Sequence, residues 1–157
     1  MTQKIRTAVY GASGYTGAEL LRLLHTHPHI SIEALSGESQ AGKMIEEVYP
    51  HLRGLGLPRL KKISEIDTSN LDIVFCCLPH GTTQDAIAAL PTHVKVVDLS
   101  ADFRLKDIDS YEQWYGKPHT QPQLQQEAVY GLTEINREQI KAARLVANPG
   151  CYPTSAL

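Results

Sequence analysis

Ile5-Arg6-Thr7-Ala8-Val9-Tyr10-Gly11-Ala12-Ser13-Gly14-Tyr15-Thr16-Gly17 is the stretch whose reading decides the fold. Ile5 to Tyr10 is a short apolar run, and it breaks at Gly11 into a loop of small residues. Beyond the loop, Glu19 to Leu24 has helical spacing, with Leu20, Leu21 and Leu24 able to share a face. Pro28 stops that helix, and Ile30 to Leu35 is a second strand candidate. Strand, glycine loop, helix, strand make one βαβ unit, and a helical crossover forces its two strands to be parallel.

The same alternation continues downstream. Residues 44–56 read as a short helix followed by irregular chain around Pro50 and Gly54-Leu55-Gly56, and Leu57 to Ile63 as an edge strand. Leu71 to Leu78 is the most apolar strand, the pattern of a strand covered on both faces, and it ends at Pro79-His80-Gly81. Thr82 to Leu90 reads as a helix with Ala86, Ile87 and Leu90 on one side, and Val94 to Leu99 as another buried strand. Residues 105–128 are polar and aromatic and read as a helical turn followed by a loop. Glu134 to Ala143 is a short helix anchored by Ile135 and Ile140, and Leu145 to Ala147 is a last strand. The expected fold is α/β, a doubly wound Rossmann-type, mostly parallel sheet with flanking helices, whose ligands bind where the strands end at their carboxyl side.

Composition narrows the function. The chain has 157 residues and a net charge of −2, which gives no electrostatic case for a nucleic acid or an anionic membrane surface. No apolar run approaches the length of a membrane span, and Met1 to Arg6 passes into a strand pattern without a signal-peptide core, so the expected location is cytoplasmic. The three cysteines, Cys76, Cys77 and Cys151, form neither a disulfide framework nor a zinc spacing. Cys76 and Cys77 read as small core residues of a buried strand. His25, His27 and His29 lack a carboxylate or thiolate to complete a metal set, so no metal site is expected. Tyr111, Trp114 and Tyr115 read as packing residues, with no basic face beside them to make a base-stacking platform.

The glycine loop departs from the standard Gly-x-Gly-x-x-Gly fingerprint but keeps its physics. Gly11 and Gly14 allow a tight turn and close approach of backbone to a pyrophosphate, and Gly17 lets the helix pack against the strand. The N–H groups of the first helical turn face the phosphates, so Gly11, Ser13, Gly14, Tyr15, Thr16 and Gly17 are expected to cradle a dinucleotide. The alternative is a glycine-rich turn with no ligand. At the end of the second strand an NAD reader usually places a carboxylate for the ribose hydroxyls. Here Ser36-Gly37 is followed by Glu38-Ser39-Gln40-Ala41-Gly42-Lys43. Hydroxyls of Ser36 and Ser39 and the ammonium of Lys43 suit a 2′-phosphate, so the expected cofactor is NADP(H), with Glu38 as the dissenting residue.

Asn148-Pro149-Gly150-Cys151-Tyr152-Pro153-Thr154 carries the other chemistry. A cysteine sits directly before an expected helix start, with Pro153 suited to the first helical position. Unpaired N–H groups and the positive end of a helix dipole favour thiolate over thiol, which suits a nucleophile; the alternative is a small residue at a loop corner.

Four stretches together resemble one family. Gly11 to Gly17, Asp98-Leu99-Ser100-Ala101-Asp102-Phe103-Arg104, Val129-Tyr130-Gly131-Leu132-Thr133-Glu134 and Asn148 to Thr154 look like the motifs of the N-acetyl-gamma-glutamyl-phosphate reductases, NADPH-dependent oxidoreductases of arginine biosynthesis. The resemblance covers essentially the whole chain in order. It implies reduction of an acyl phosphate to a semialdehyde through a thioester on Cys151. It also implies that Leu78, Pro79, His80 and Gly81 line the cofactor's path, His80 being at the nicotinamide ribose or in solvent. Arg104 and Ser100 would be the substrate-side residues, Arg104 holding the leaving phosphate or making a surface ion pair, and Ser100 and Asp102 also shaping the loop.

The family enzyme continues into a second α+β domain that supplies an acid/base histidine, most of the substrate contacts and most of the subunit contacts. Residues 1–150 therefore read as an NADP-binding domain and 151–157 as the start of a catalytic domain, in a protein expected to be a homo-oligomer at full length. The isolated chain is expected to bind NADP(H) without turning over its substrate. Two other readings stay open: a related reductase acting on aspartyl or aminoadipyl phosphate, and a dinucleotide-binding module without catalysis.

Overall fold

The computed structural model describes residues 3–157; Met1 and Thr2, the first of the N-terminal stretch, lie outside the described residues. Chain contacts divide the molecule into two compact units, Met1–Cys77 and Leu78–Leu157, a division that falls inside the region read above as one cofactor domain.

The first unit contains β1 (Ile5–Tyr10), α1 (Tyr15–His25), β2 (Ile30–Ser36), α2 (Ile45–Val48), β3 (Leu60–Lys61) and β4 (Ile73–Cys76). Its strands lie in the order β3-β2-β1-β4, and every pairing is parallel. The chain thus winds from β1 outward to β2, then returns to place β4 on the other side of β1. The carboxyl end of β1 is therefore a topological switch point, where ligands of open α/β sheets bind. The expected two-sided cover of β4 is only half realised: Val74 and Cys76 are buried, while Ile73 and Phe75 on the other face are half-buried. The edge strand expected over Leu57 to Ile63 shrinks to the two residues of β3, because Leu57 and Ile63 lie in irregular chain and a short 3-10 turn. The pairing of β1 with β2 slips by one residue: Thr7 faces Ile32, but Ala8 faces Ala34, leaving Glu33 as an extra residue on β2.

The core of this unit gathers Val9 and Ala12 from β1 and its loop, Ala18, Leu21 and Leu24 from α1, and Leu35, Ile45, Leu52, Leu57 and Leu60 from the segments that follow. Leu21 and Leu24 are the buried stripe of α1, Leu20 being half-buried beside them. Arg6, at the start of β1, closes a bidentate ion pair on Asp72 at the entry to β4, its Nη2 lying 2.9 Å from Oδ1 and its Nε 3.1 Å from Oδ2.

The second unit contains α3 (Thr83–Ala88), β5 (Lys95–Asp98), α4 (Ile108–Tyr115), α5 (Pro122–Glu127), β6 (Val129–Tyr130), α6 (Thr133–Ala142), β7 (Leu145–Ala147) and α7 (Cys151–Ala156). β7 lies between β5 and β6, parallel to both. Residues 105–128 hold two helices rather than a turn and a loop. Asp107 caps α4, its carboxylate accepting from the Ser110 N–H at 3.0 Å, and Gly116 ends it in the left-handed conformation. Pro122 opens α5 in the first turn, where a missing N–H is harmless. Tyr111 is the aromatic that packs, at 1% exposure, whereas Trp114 is 77% exposed and outside the core. Ile135 is likewise no anchor for α6: it is 69% exposed, on a helix kinked at Asn136, whose side chain donates to the Tyr130 carbonyl.

Candidate functional site

The glycine loop sits at the switch point of the first unit, and hydrogen bonds from the Gly11, Ala12 and Gly14 N–H groups set its shape. Gly11 has φ +74°, a left-handed conformation that a side chain would strain. Its N–H donates to Ser36 Oγ at 2.9 Å, the next N–H, from Ala12, donates to the Ser36 carbonyl at 2.8 Å, and the Gly14 N–H donates to the Gly11 carbonyl at 3.0 Å. The Ser13 carbonyl accepts the Tyr49 hydroxyl at 2.9 Å. The N–H groups of Ser13, Tyr15 and Thr16 have no protein acceptor among the described residues. They are the donors that the start of an eleven-residue helix offers to an anion.

Gly17 makes the close approach that this geometry needs. A Cβ there would lie 2.6 Å from both Ala12 Cα and the Gly11 carbonyl oxygen, closer than such atoms can sit. The loop, its free donors and the close helix–strand packing that Gly17 permits fit a dinucleotide pyrophosphate.

At the end of β2 the structure redistributes the expected roles. Ser36 is 1% exposed and its hydroxyl oxygen accepts the Gly11 N–H, so it frames the loop instead of reaching a phosphate. Ser39 lies exposed in a 3-10 turn, Glu38–Gln40, and Lys43 is exposed with Nζ 2.8 Å from Gln40 Oε1. Glu38 is turned aside: its carboxylate accepts the Ile63 N–H at 2.8 Å. Arg59 joins this end, donating from Nη1 to the Gly42 carbonyl at 2.7 Å, and Lys61 and Lys62 are exposed next to it in sequence.

In the second unit, three of the motifs meet at the carboxyl ends of β5, β6 and β7. The Asn148 N–H donates to the Asp98 carbonyl at 2.7 Å, and the Gly131 N–H to the Ala147 carbonyl at 2.8 Å. A Cβ on Gly131 would stand 2.8 Å from Val146 Cγ1, so only glycine lets the end of β6 lie this close to β7. Arg104 spans the gap, donating from Nε to the Asn148 carbonyl at 2.8 Å and from Nη2 to the Leu99 carbonyl at 3.1 Å. Its guanidinium also lies against Gly150, where an added Cβ would be 3.3 Å from Nη1.

Cys151 follows at once as the first residue of α7, exposed, with Gly150 at the cap. Pro153 is thus the third helical residue, not the first; its missing N–H is equally harmless there, because no first-turn N–H has a helical partner. Thr154 closes the turn, its N–H and hydroxyl both directed to the Gly150 carbonyl, at 3.2 and 2.9 Å.

The Asp98 to Arg104 loop is built on two buried carboxylates. Asp98 accepts the Ser100 N–H at 2.9 Å and the Ser100 hydroxyl at 2.8 Å, and Ser100 Oγ in turn accepts the Asp102 N–H at 3.0 Å. Ser100 is 5% exposed, so its hydroxyl holds the loop and is not directed at a substrate. Burial pushes the Asp98 carboxyl up to about 6; the Ser100 bonds and Arg104 oppose that rise, and Asp102 adds to it.

Asp102 receives the Gly81 N–H at 2.7 and 3.0 Å, the Thr83 N–H at 3.2 Å and the Tyr111 hydroxyl at 2.9 Å. Gln84 ties Tyr111 to Thr120, donating to the Tyr111 oxygen at 3.2 Å and accepting the Thr120 N–H at 2.6 Å. The segment Leu78 to Gly81 is thereby held in shape by its successor loop. Leu78 is half-buried and Pro79, His80 and Gly81 are exposed, with the His80 ring 5.7 Å from that of Tyr115.

Among the described residues no group of three or more His, Cys, Asp or Glu side chains is placed to hold a metal ion, and no helix is long and apolar enough to cross a membrane.

Comparison with known proteins agrees with this geometry. Residues 6–143 match the family model described as "Semialdehyde dehydrogenase, NAD binding domain". The chain is 60% identical over 151 residues to a probable N-acetyl-gamma-glutamyl-phosphate reductase, chloroplastic, of Arabidopsis thaliana, covering 96% of this chain and 38% of that protein. It is 62% identical over 151 residues to an N-acetyl-gamma-glutamyl-phosphate reductase of Cereibacter sphaeroides, covering 96% of this chain and 44% of the relative. The chain therefore spans less than half the length of the curated relatives it matches. In fold it is similar to aspartate semialdehyde dehydrogenase with NADP from Candida albicans, with a TM-score of 0.57 at 17% identity, over 93% of this chain and 42% of that one. With residues 6–143 matched to that model, the chain belongs to the semialdehyde dehydrogenase NAD-binding-domain family.

Proposed function

We propose that this chain is the cofactor-binding portion of an NADPH-dependent N-acetyl-gamma-glutamyl-phosphate reductase, with residues 1–150 as the cofactor region and 151–157 opening the catalytic one. The observation that carries the reading is the convergence of Asp98 to Arg104, Val129 to Glu134 and Asn148 to Thr154 on one cysteine. Arg104 and Gly131 fix the turn, and Cys151 emerges exposed at the head of α7. High identity to reductases of that name, against 17% to the structurally similar aspartate semialdehyde dehydrogenase, supports the N-acetylglutamyl substrate class.

In this reading the N–H groups of Ser13, Tyr15 and Thr16 would hold the pyrophosphate, in a loop shaped by Gly11, Gly14 and Gly17, and Ser39, Lys43 and Arg59 would bind the 2′-phosphate. Engagement of Glu38 by the Ile63 N–H supports NADP over NAD, since that carboxylate is taken up by backbone where an NAD reader would offer it to the ribose hydroxyls. Cys151 Sγ, as thiolate, attacks the acyl carbonyl carbon; the C–O bond to phosphate breaks, and a thioester forms. NADPH, when bound, supplies the hydride that brings the acyl group to the aldehyde level as the thiolate departs. Arg104 acts on the nucleophile's loop, and its remaining N–H groups are available to an anion.

The test is NADPH oxidation by the full-length protein with N-acetyl-γ-glutamyl phosphate, and with Cys151→Ser. We expect loss of turnover by more than about a hundredfold with unchanged NADPH binding. Full activity of Cys151→Ser, or equal activity toward aspartyl phosphate, would refute the proposal.

A further inference from the structure

We propose that Tyr49 is a positioning residue of the pyrophosphate loop, acting through the Ser13 carbonyl; this rests on the dinucleotide reading of that loop. Tyr49 lies 36 residues from Ser13, just after α2, and its hydroxyl donates to the Ser13 carbonyl at 2.9 Å. That carbonyl shares a peptide plane with the Gly14 N–H, which donates to the Gly11 carbonyl at 3.0 Å. The Ser13–Gly14 peptide is thus held at both ends. Glycine at one side makes such a peptide easy to flip, because Gly14 has no Cβ to resist rotation. A flip would swing a carbonyl dipole about in a loop that otherwise presents N–H groups, and an oxygen facing a bound anion is repulsive. By occupying the oxygen, Tyr49 keeps the loop in its donor-presenting form before the ligand arrives.

The rest of the frame comes from Ser36, through its hydroxyl to Gly11 and its carbonyl to Ala12. Tyr49 alone among the described side chains hydrogen-bonds the Ser13 carbonyl. Its ring contacts those of Tyr15 and His51, with centroids 6.2 and 5.8 Å away, contacts that a phenylalanine keeps when the hydroxyl is removed. Burial raises the pKa of the phenol above its ordinary value, and Tyr15 adds to this, so at neutral pH the group is a donor.

The experiment is Tyr49→Phe, with Tyr49→Leu as second variant, titrated with NADPH and with NADH by calorimetry and followed at NADPH saturation by phosphorus NMR. One hydrogen bond corresponds to a rise in Kd of about three- to tenfold. We expect that rise in Tyr49→Phe, by the same factor for both dinucleotides. We also expect displaced pyrophosphate resonances, an unmoved 2′-phosphate resonance and an unchanged melting temperature.

Wild-type affinity in Tyr49→Phe with loss only in Tyr49→Leu would make the ring the relevant part and overturn the proposal. So would a loss that shifts all three phosphorus signals together. If the wild-type chain binds neither dinucleotide, the cofactor reading falls and takes this inference with it; if it binds and the variant does not differ, this inference falls alone.

Discussion

Asp98 is a carboxylate that the fold holds at a cost, and the cost depends on pH. It is fully buried at the carboxyl end of β5. Burial raises its pKa from 3.8 to about 6 despite two hydrogen bonds from Ser100. A folded pKa above the unfolded one means that the native state binds the proton more tightly. The group's stabilising contribution is therefore complete below about pH 3.8 and is lost as pH rises through about 6. At about 1.4 kcal/mol per pH unit of displacement, the full loss is on the order of 3 kcal/mol, of which about 2–3 kcal/mol falls between pH 4 and 7.5.

Asp98→Asn removes the titration while keeping the shape. One amide oxygen still accepts the Ser100 N–H, and the amide N–H can donate to Ser100 Oγ once that hydroxyl rotates. The assay is urea unfolding of both proteins at intervals between pH 4 and 8, read by far-UV circular dichroism. The stability of the parent minus that of the variant should fall by about 2–3 kcal/mol across that range, mostly below pH 6.5. A difference that stays flat with pH, or rises with it, would refute the reasoning.

Gly17→Ala should lower stability by roughly 1–3 kcal/mol and weaken dinucleotide binding, since its Cβ would sit 2.6 Å from the Gly11 oxygen; a thermal melt and a titration check both. Lys43→Ala should weaken NADPH binding about three- to tenfold and leave NADH binding unchanged, measured as two dissociation constants; equal affinities for the two cofactors, unmoved by the change, would sink the NADP assignment. Arg104→Gln should lower stability by about 1–3 kcal/mol, read as a shifted urea midpoint, because the turn before Cys151 loses its guanidinium ties to the Asn148 and Leu99 carbonyls; an unmoved midpoint would contradict that role.

The parallel βαβ start was legible because three signals agreed within thirty residues: an apolar run, a loop whose glycines have distinct backbone tasks, and a helix stripe. The helices α4 and α5 were not, because their stability comes from capping by Asp107, from Pro122 at a first turn and from one buried face around Tyr111, none of which makes a strong apolar period. Ile135 misled for the converse reason: an apolar residue at helical spacing says nothing about whether a neighbour covers it. At the proposed site, the turn-forming neighbours of Cys151 were enough to expect a helix start there, which the structure has at Cys151 itself. The functions of Ser36 and Ser100 could not be read, since a serine at a strand end is the same letter whether it faces a ligand or, as both do here, a backbone N–H. Nothing near Tyr49 or Arg59 in the chain marks them; both act across folds of the loop that only the closed structure brings together.

The extra residue at Glu33 has a consequence for how this domain tolerates change. Side chains of a strand alternate between faces, so a one-residue slip inverts everything beyond it. The slip between Thr7 and Ala8 is what gives the last residues of β2 their parity, with Leu35 in the core and Ser36 Oγ against the Gly11 N–H. Deleting one residue at 33 would regularise the ladder and yet present the wrong side of Ser36 to the glycine loop. The length of β2, more than the identity of any residue in its middle, is thus the quantity under constraint, and many substitutions at 33 should be silent where a single deletion is not.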